Sequence, residues 1–456
     1  MPVPQDVLDG LKALYGERLS TAAALRERHG QDESYHAPCP PDVVVFPRST
    51  EEVSATAALC CRHRVPMVPY GVGTSLEGNI AAVKGGVCLD LGGMNRILEL
   101  NADDMDVRVE AGVTRMQLAA HVKDTGLFFP VDPGADATLG GMASTRASGT
   151  TTVRYGTMRD NVLGLKLVLP DGRVITTGTR ARKSSAGYDL TRLFVGAEGT
   201  LGIITEVQLR LHSVPQAITA AVCPFPTLAA AVATAAQTIQ LGVPVARIEF
   251  LDELEMRAVN AFSQLSYPEQ PTLFFEFHGS EQSAAEQAET VSALAGEHGG
   301  GPFEWAARPE ERSRLWKARH DALYAAMGLR PGSRAMITDV CVPISRLVEC
   351  VLETRKDVDA TGVVAPILGH VGDGNFHVLI LVMPGDAAET AQAAAVNDRL
   401  VRRAIAMGGT CTGEHGVGVG KIAYLESEQG ASIEVMRAIK GALDPHGLMN
   451  PGKIFR

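Results

Sequence analysis

Three stretches of small residues constrain this 456-residue chain more than any other feature: PYGVGTSLEGN (69–79), DPGADATLGGMASTRASGTTTVRYG (132–156) and GAEGTLGIITEV (196–207). Glycine, lacking a Cβ, lets the backbone touch a neighbouring group, and Ser and Thr add short donors. Such runs do not build regular helices or sheets, so they must be carried as loops on a rigid scaffold. Their successive N–H groups can form a nest that binds an anion without a formal positive charge. The first loop follows a strand pattern, but its GxGxxxxG spacing and the absence of an immediate helix do not match a dinucleotide fingerprint.

The scaffold is readable between the loops. DVVVFP (42–47), VPMVPYG (65–71), GGVCLDL (85–91) and DVRVEAG (106–112) read as strands. Ser49 and Glu52 form a capping-box pattern that opens a helix over EEVSATAALCCRHR. NVLGLKLVLPDGRVITTG (161–178) is a strand, a DG turn and a second strand. Near residue 215 the texture changes to β-α-β-β-α-β, the order of a ferredoxin-like unit. The domains expected are a helical segment at 1–37, an α+β domain at 38–215, a second domain at 216–421 and a C-terminal segment at 422–456.

Composition removes several classes. A net charge of −10 argues against nucleic-acid binding, which needs clustered Lys and Arg. Between Arg210 and Arg247 no charged residue occurs, but Pro215, Pro224, Pro226 and Pro244 break the stretch. No apolar run approaches the roughly 20 residues of a spanning helix, so no transmembrane segment is expected. The start, MPVPQDVLDGLKALYGERLS, has neither a basic-then-apolar leader nor an Arg-rich transit character. The eight cysteines include no CxxC pair and fit reduced thiols. The location expected from both is cytoplasmic, or peripheral at the inner membrane.

GHVGDGNFH (369–377) and CTGEHGVGVGK (411–421) concentrate imidazole and carboxylate in glycine-rich company. A hairpin pairing GVVAPILGH with FHVLILVM across VGDGN would set His370 and His377 opposite each other, with Cβ atoms about 5 Å apart. Glu414 would complete a His-His-carboxylate set suited to Zn²⁺ or Mn²⁺. A single His in a strand is more often a hydrogen-bonded core residue, which is the reading for His121, His212 and His278. Asp373 reads as a turn residue, and Asn375 as a turn residue or one that orients a ligand. Cys411 reads as packing.

The motifs VDPGADATLGGMASTRASGTTTVRYGTMRDNVLGLKLVLPDG, VPVARIEFLDE, TDVCVPISRL and LDPHGLMNPGKI resemble the vanillyl-alcohol oxidase-type flavoproteins. Within them the chain resembles the FAD-linked oxidase branch of D-2-hydroxyacid dehydrogenases, in particular the D-lactate dehydrogenase (cytochrome) type, from about residue 38 to the end. The resemblance implies an α+β fold: a two-part FAD-binding domain, a ferredoxin-like-based substrate (cap) domain, and a C-terminal segment returning to the FAD domain. It implies FAD contacts at Gly71, Gly73, Thr74, Ser75, Pro133, Gly134, Gly141, Ser144, Gly149, Glu198, Gly199, Ile203 and Asn450. With no His inside these loops, the FAD is expected to be non-covalent.

The same resemblance makes His370, His377 and Glu414 the metal ligands, and Arg319 the clamp for a substrate carboxylate. His415 is then the general base that takes the hydroxyl proton, with Asn375 as a further catalytic candidate. Relatives specific for D-2-hydroxyglutarate pair its second carboxylate with a lysine and a hydroxyl. Here the aligned positions hold Ile337 and Leu323, so D-lactate is favoured, with glycolate or D-2-hydroxyglutarate as alternatives. The partners implied are a small 2-hydroxy acid and an electron acceptor (cytochrome c, quinone or flavoprotein); a homodimer is compatible. Two readings of other classes are a metallohydrolase built on the same triad and a flavin-binding electron carrier.

Overall fold

The computed structural model describes residues 3–306 and 308–455; residues 1, 2, 307 and 456 of the expected segments lie outside the described residues. The chain divides into two units, one formed by 1–148, 156–214 and 414–456 and the other by 149–155 and 215–413.

In the first unit, Val43–Val45, Val87–Asp90 and Met67–Tyr70 form a parallel sheet, with the short strand Leu19–Ser20 antiparallel at one edge. Their near-continuous apolar character follows from burial on both faces, as parallel strands require. Asp106–Glu110 instead belongs to an antiparallel sheet ordered Ile97–Asn101, Asp106–Glu110, Ile203–Arg210, Val162–Val168, Val174–Gly178. One apolar core, which includes Val43, Met67, Leu89, Val107, Leu167 and Val207, is shared by both sheets.

The helix Thr50–His63 starts where expected, with Ser49 Oγ accepting from the Glu52 N–H at 3.3 Å. The reciprocal half of the capping box is absent: the Glu52 carboxylate accepts from the Arg48 N–H and from Arg18 instead. The Arg18 guanidinium offers charge-assisted bonds, which outcompete a neutral backbone donor. The C-terminal segment returns to this unit, where the Met67 N–H donates to Leu448 O and the Asn450 N–H to Met67 O, both at 2.8 Å.

The second unit contains the ferredoxin-like order. Its sheet begins Glu304–Ala306, Ala217–Pro224, Thr272–Gly279, Arg247–Leu251 and continues through Ile367–Gly369, Asn375–Val382 and Arg334–Ile337. Helices Leu228–Gln240 and Glu281–Glu297, capped by Thr227 and Ser280, pack against each other. The helix Glu253–Ser263 inserts between the second and third strands, a passage the sequence pattern reads as β-β. AMITDVCVP, expected as one strand, is two: Arg334–Ile337 and Val340–Cys341, both paired with Asn375–Val382 and separated at Thr338–Asp339. RSRLWKARHDALYAAMG is likewise broken at Asp321 into Pro309–His320 and Ala322–Gly328.

Candidate functional site

In the second unit, the expected hairpin forms with a different register. Leu368 pairs with His377 and Ile367 with Val378, so His370 lies opposite Asn375 rather than His377. The tight turn sets this: Asp373 and Asn375 N–H groups both donate to His370 O, closing the loop early. Gly374 permits the turn, with φ +80° and an approach that would bring a Cβ within 2.2 Å of Val342 O. A two-residue shift preserves which face a side chain takes, whereas a one-residue slip would reverse it. The two imidazoles therefore remain on one face as diagonal neighbours, with ring centroids 5.6 Å apart.

Each histidine has one nitrogen assigned by its partner. His377 Nδ1 lies 2.9 Å from Thr338 O, and a carbonyl only accepts, so Nδ1 carries the proton. His370 Nδ1 donates to Glu249 Oε1 at 2.7 Å. Both Nε2 atoms are thereby left as the basic nitrogens, the state a divalent metal needs. The carbonyl at Thr338 is available because the neighbouring strand breaks there.

Glu249 is fully buried on Arg247–Leu251, and its other oxygen accepts from Arg319 Nε at 2.8 Å and lies 2.6 Å from Nη2. Burial raises its pKa, but the charges of His370 and Arg319 outweigh it and hold the carboxyl below the usual range. Arg319, expected to clamp a carboxylate, thus has the Nε–Nη2 edge of its guanidinium occupied by Glu249.

Asn375 donates through Nδ2 to Asp339 Oδ1 and Val340 O, both at 2.8 Å, and Asp339 also accepts from Thr412. Asp373 does more than make the turn, because the Thr152 hydroxyl lies 2.8 Å from its carboxylate and 2.8 Å from the Gly149 carbonyl, its one proton shared between the two acceptors. The segment bearing Gly149 is thereby tied to the histidine turn within this unit. Glu414 follows Gly413, where a Cβ would meet Asn375 Nδ2 at 2.2 Å; there the chain leaves the second unit. His278 is, as expected, a satisfied core residue, held between Tyr155 and Glu276, whose other oxygen accepts from Trp316 Nε1.

In the first unit the small-residue loops converge. The Glu198 N–H donates to Ser144 O at 2.8 Å, Gly141 N–H to Thr138 Oγ1, and a Cβ on Gly71 would meet the same Oγ1 at 2.5 Å. Gly73, Thr74 and Ser75 continue the first loop, and Ser75 donates to Asp32 at 2.7 Å. Pro133 and exposed Gly134 lie ahead of Thr138, while Gly199 and buried Ile203 follow Glu198.

Glu198 is buried and accepts from Asn79 Nδ2 and from the Val417 and Gly418 N–H groups, and burial pushes its pKa up. Its carboxylate thus braces the loops from inside. Asn450 Nδ2 donates to Asn79 O and Glu198 O, and among the described residues its buried Oδ1 has no hydrogen-bond partner. A buried amide oxygen in that state fits a donor supplied by a bound group, such as a flavin ring or ribityl hydroxyl. His415 stands 4.0 Å from Glu77 Oε1, which also accepts from buried Lys421 at 2.9 Å.

Sequence reasoning assigned no role to Glu249, Asp339 or Glu276. The signal was present as acidic letters inside apolar strands, IEFL and FFEF, where only a paired carboxylate is tolerated.

Residues 41–178 match the FAD binding domain family, and residues 214–454 match the FAD linked oxidases, C-terminal domain. The chain is 55% identical to a probable mitochondrial D-lactate dehydrogenase of Danio rerio, over 98% of this chain and 91% of that protein. It is 48% identical to the mitochondrial D-lactate dehydrogenase [cytochrome] of Arabidopsis thaliana, over 99% of this chain and 80% of that one. The solved structure of p-cresol methylhydroxylase with substrate bound aligns with a TM-score of 0.80, at 17% identity, over 100% of this chain and 98% of that chain; it bears on the fold alone. The expected cytoplasmic location is corrected by these relatives, which are mitochondrial and point to that compartment. Among the described residues, no helix is long and apolar enough to cross a membrane.

Proposed function

The chain belongs to the FAD-linked oxidase family, and on that premise we propose that it oxidises D-lactate to pyruvate with a bound divalent metal, delivering electrons to a cytochrome-type acceptor. The observation that carries the metal and substrate part is the pair of imidazoles 5.6 Å apart, both with Nδ1 tied up, one carboxylate away from Arg319. His370, His377 and Glu414 hold the ion, Zn²⁺ or Mn²⁺. An ion held there would supply acidification of the substrate hydroxyl, and FAD would supply the two-electron acceptor for the C2 hydride. The free edge of Arg319 takes the substrate carboxylate through two N–H groups, fixing C2 in orientation. His415 takes the hydroxyl proton. Asn375 holds the turn beside the metal ligands. A non-covalent FAD would be held by Gly71, Gly73, Thr74, Ser75, Pro133, Gly134, Gly141, Ser144, Gly149, Gly199, Ile203 and the Asn450 amide, with Glu198 bracing that cradle.

Leu323 and Ile337 pack into one apolar cluster with Trp316 and Leu379, which supports a monocarboxylate with a short side chain. A second carboxylate set against such a wall without a counter-charge costs about 2–5 kcal/mol, or roughly 30-fold to several thousand-fold in kcat/KM. Anaerobic flavin bleaching with a panel of D- and L-2-hydroxy acids tests the assignment. D-lactate should bleach the flavin, with D-2-hydroxyglutarate slower by that margin. Equal rates with D-lactate and D-2-hydroxyglutarate would sink the substrate assignment.

A further inference from the structure

We propose that Glu249 is a positioning residue that couples metal binding to recognition of the substrate carboxylate. This rests on the reading of His370 as a metal ligand and Arg319 as the carboxylate clamp. The geometry is that of one carboxylate shared between two functional groups. Oε1 takes the His370 Nδ1 proton at 2.7 Å, and Oε2 takes the Arg319 fork at 2.8 and 2.6 Å. The carboxylate is fully buried and Arg319 nearly so, so solvent offers no replacement partner.

The two contacts are not independent. When an ion draws electron density from Nε2, the Nδ1 proton becomes more acidic and its bond to Glu249 strengthens, as in other carboxylate–histidine–metal arrangements. The same carboxylate sets which edge of Arg319 faces outward, because a guanidinium held through Nε and one terminal nitrogen presents only its remaining edge. Glu249 therefore fixes the histidine tautomer and the arginine's aim in one rigid unit. Its place on the central strand Arg247–Leu251, hydrogen-bonded on both sides, keeps that unit from drifting.

The test uses full-length flavoprotein stripped of metal by chelation and titrated with Mn²⁺, with free ion read by electron paramagnetic resonance. In Glu249→Gln the amide can accept from one partner only and removes the negative charge. Mn²⁺ affinity should fall about 10- to 100-fold, FAD content should be unchanged, and KM for D-lactate at saturating metal should rise more than kcat falls. A purely structural role would leave the metal affinity of the folded, FAD-loaded variant at the wild-type value.

Arg319→Lys, which keeps the charge and should fold even where Glu249→Gln does not, gives a second reading. An ammonium cannot hold Oε2 in a fork, so Mn²⁺ affinity should weaken although Arg319 touches no ion. Wild-type Mn²⁺ affinity in either variant, or lost affinity with an unchanged KM in Glu249→Gln, overturns the coupling. His370→Ala is the control for the underlying reading: if it binds Mn²⁺ as the wild type does, the metal assignment falls and the coupling with it. If it loses Mn²⁺ while Glu249→Gln keeps it, only the coupling falls.

Discussion

Two carboxylates buried in the second unit respond to burial in opposite ways. Glu249 stays ionised because His370 and Arg319 answer its charge, whereas both buried Glu255 oxygens have no hydrogen-bond partner among the described residues. Burial, and then the neighbouring Asp252 charge, push the Glu255 pKa well above the ordinary carboxyl range. Asp252 itself is pushed up to about 7 by its own burial. An unfolded chain releases these protons near the ordinary carboxyl range, so their contribution to stability is full below it and is lost as pH rises toward the raised values. Glu255→Gln removes one such proton. Thermal melts from about pH 5 to about pH 8 should show wild-type stability falling relative to the variant as pH rises; a gap that stays constant would mean Glu255 is ionised when folded. His415→Asn should lower the rate of flavin reduction by about 10²- to 10⁴-fold with a smaller change in KM, measured by rapid mixing under anaerobic conditions. Glu249 was legible only as an acidic letter in an apolar strand, since its two partners lie 121 and 70 positions away along the chain.

At the scale of elements, the hairpin shows why spacing put the two histidines on one face and missed their register. Six positions from His370 to His377 fit a symmetric turn, but the turn closes on His370 O, a backbone choice no side-chain pattern announces. The facing survived because the shift was two residues. The break at Thr338–Asp339 was hidden for a similar reason: its purpose is to free a carbonyl for His377 and to aim Asp339 at Asn375. Propensity reads that segment as one strand because Met, Ile, Val and Cys dominate it. Gly374 is the residue on which the turn depends. Gly374→Ala combines φ +80° with a 2.2 Å approach to Val342 O. It should cost about 1–3 kcal/mol from backbone strain alone, more with the clash, and reduce metal content. Urea unfolding and elemental analysis would check both effects, and wild-type values in both would show that the turn tolerates a side chain.

For the whole molecule, the α+β class, the ferredoxin-like order and the small-residue loops could be read from the chain because each is a local pattern. The compartment could not. Composition names no compartment, and the cytoplasmic expectation is overturned by relatives 55% and 48% identical that are named as mitochondrial. On the proposed reading, oxidation of the hydroxy acid needs both a flavin and a metal. Rapid mixing of chelator-stripped, FAD-loaded protein with D-lactate in the absence of oxygen tests it most directly. The flavin should stay largely oxidised over the time in which untreated protein bleaches, and Zn²⁺ or Mn²⁺ should restore the rate. Bleaching at the untreated rate, with the metal confirmed absent by elemental analysis, would contradict the account.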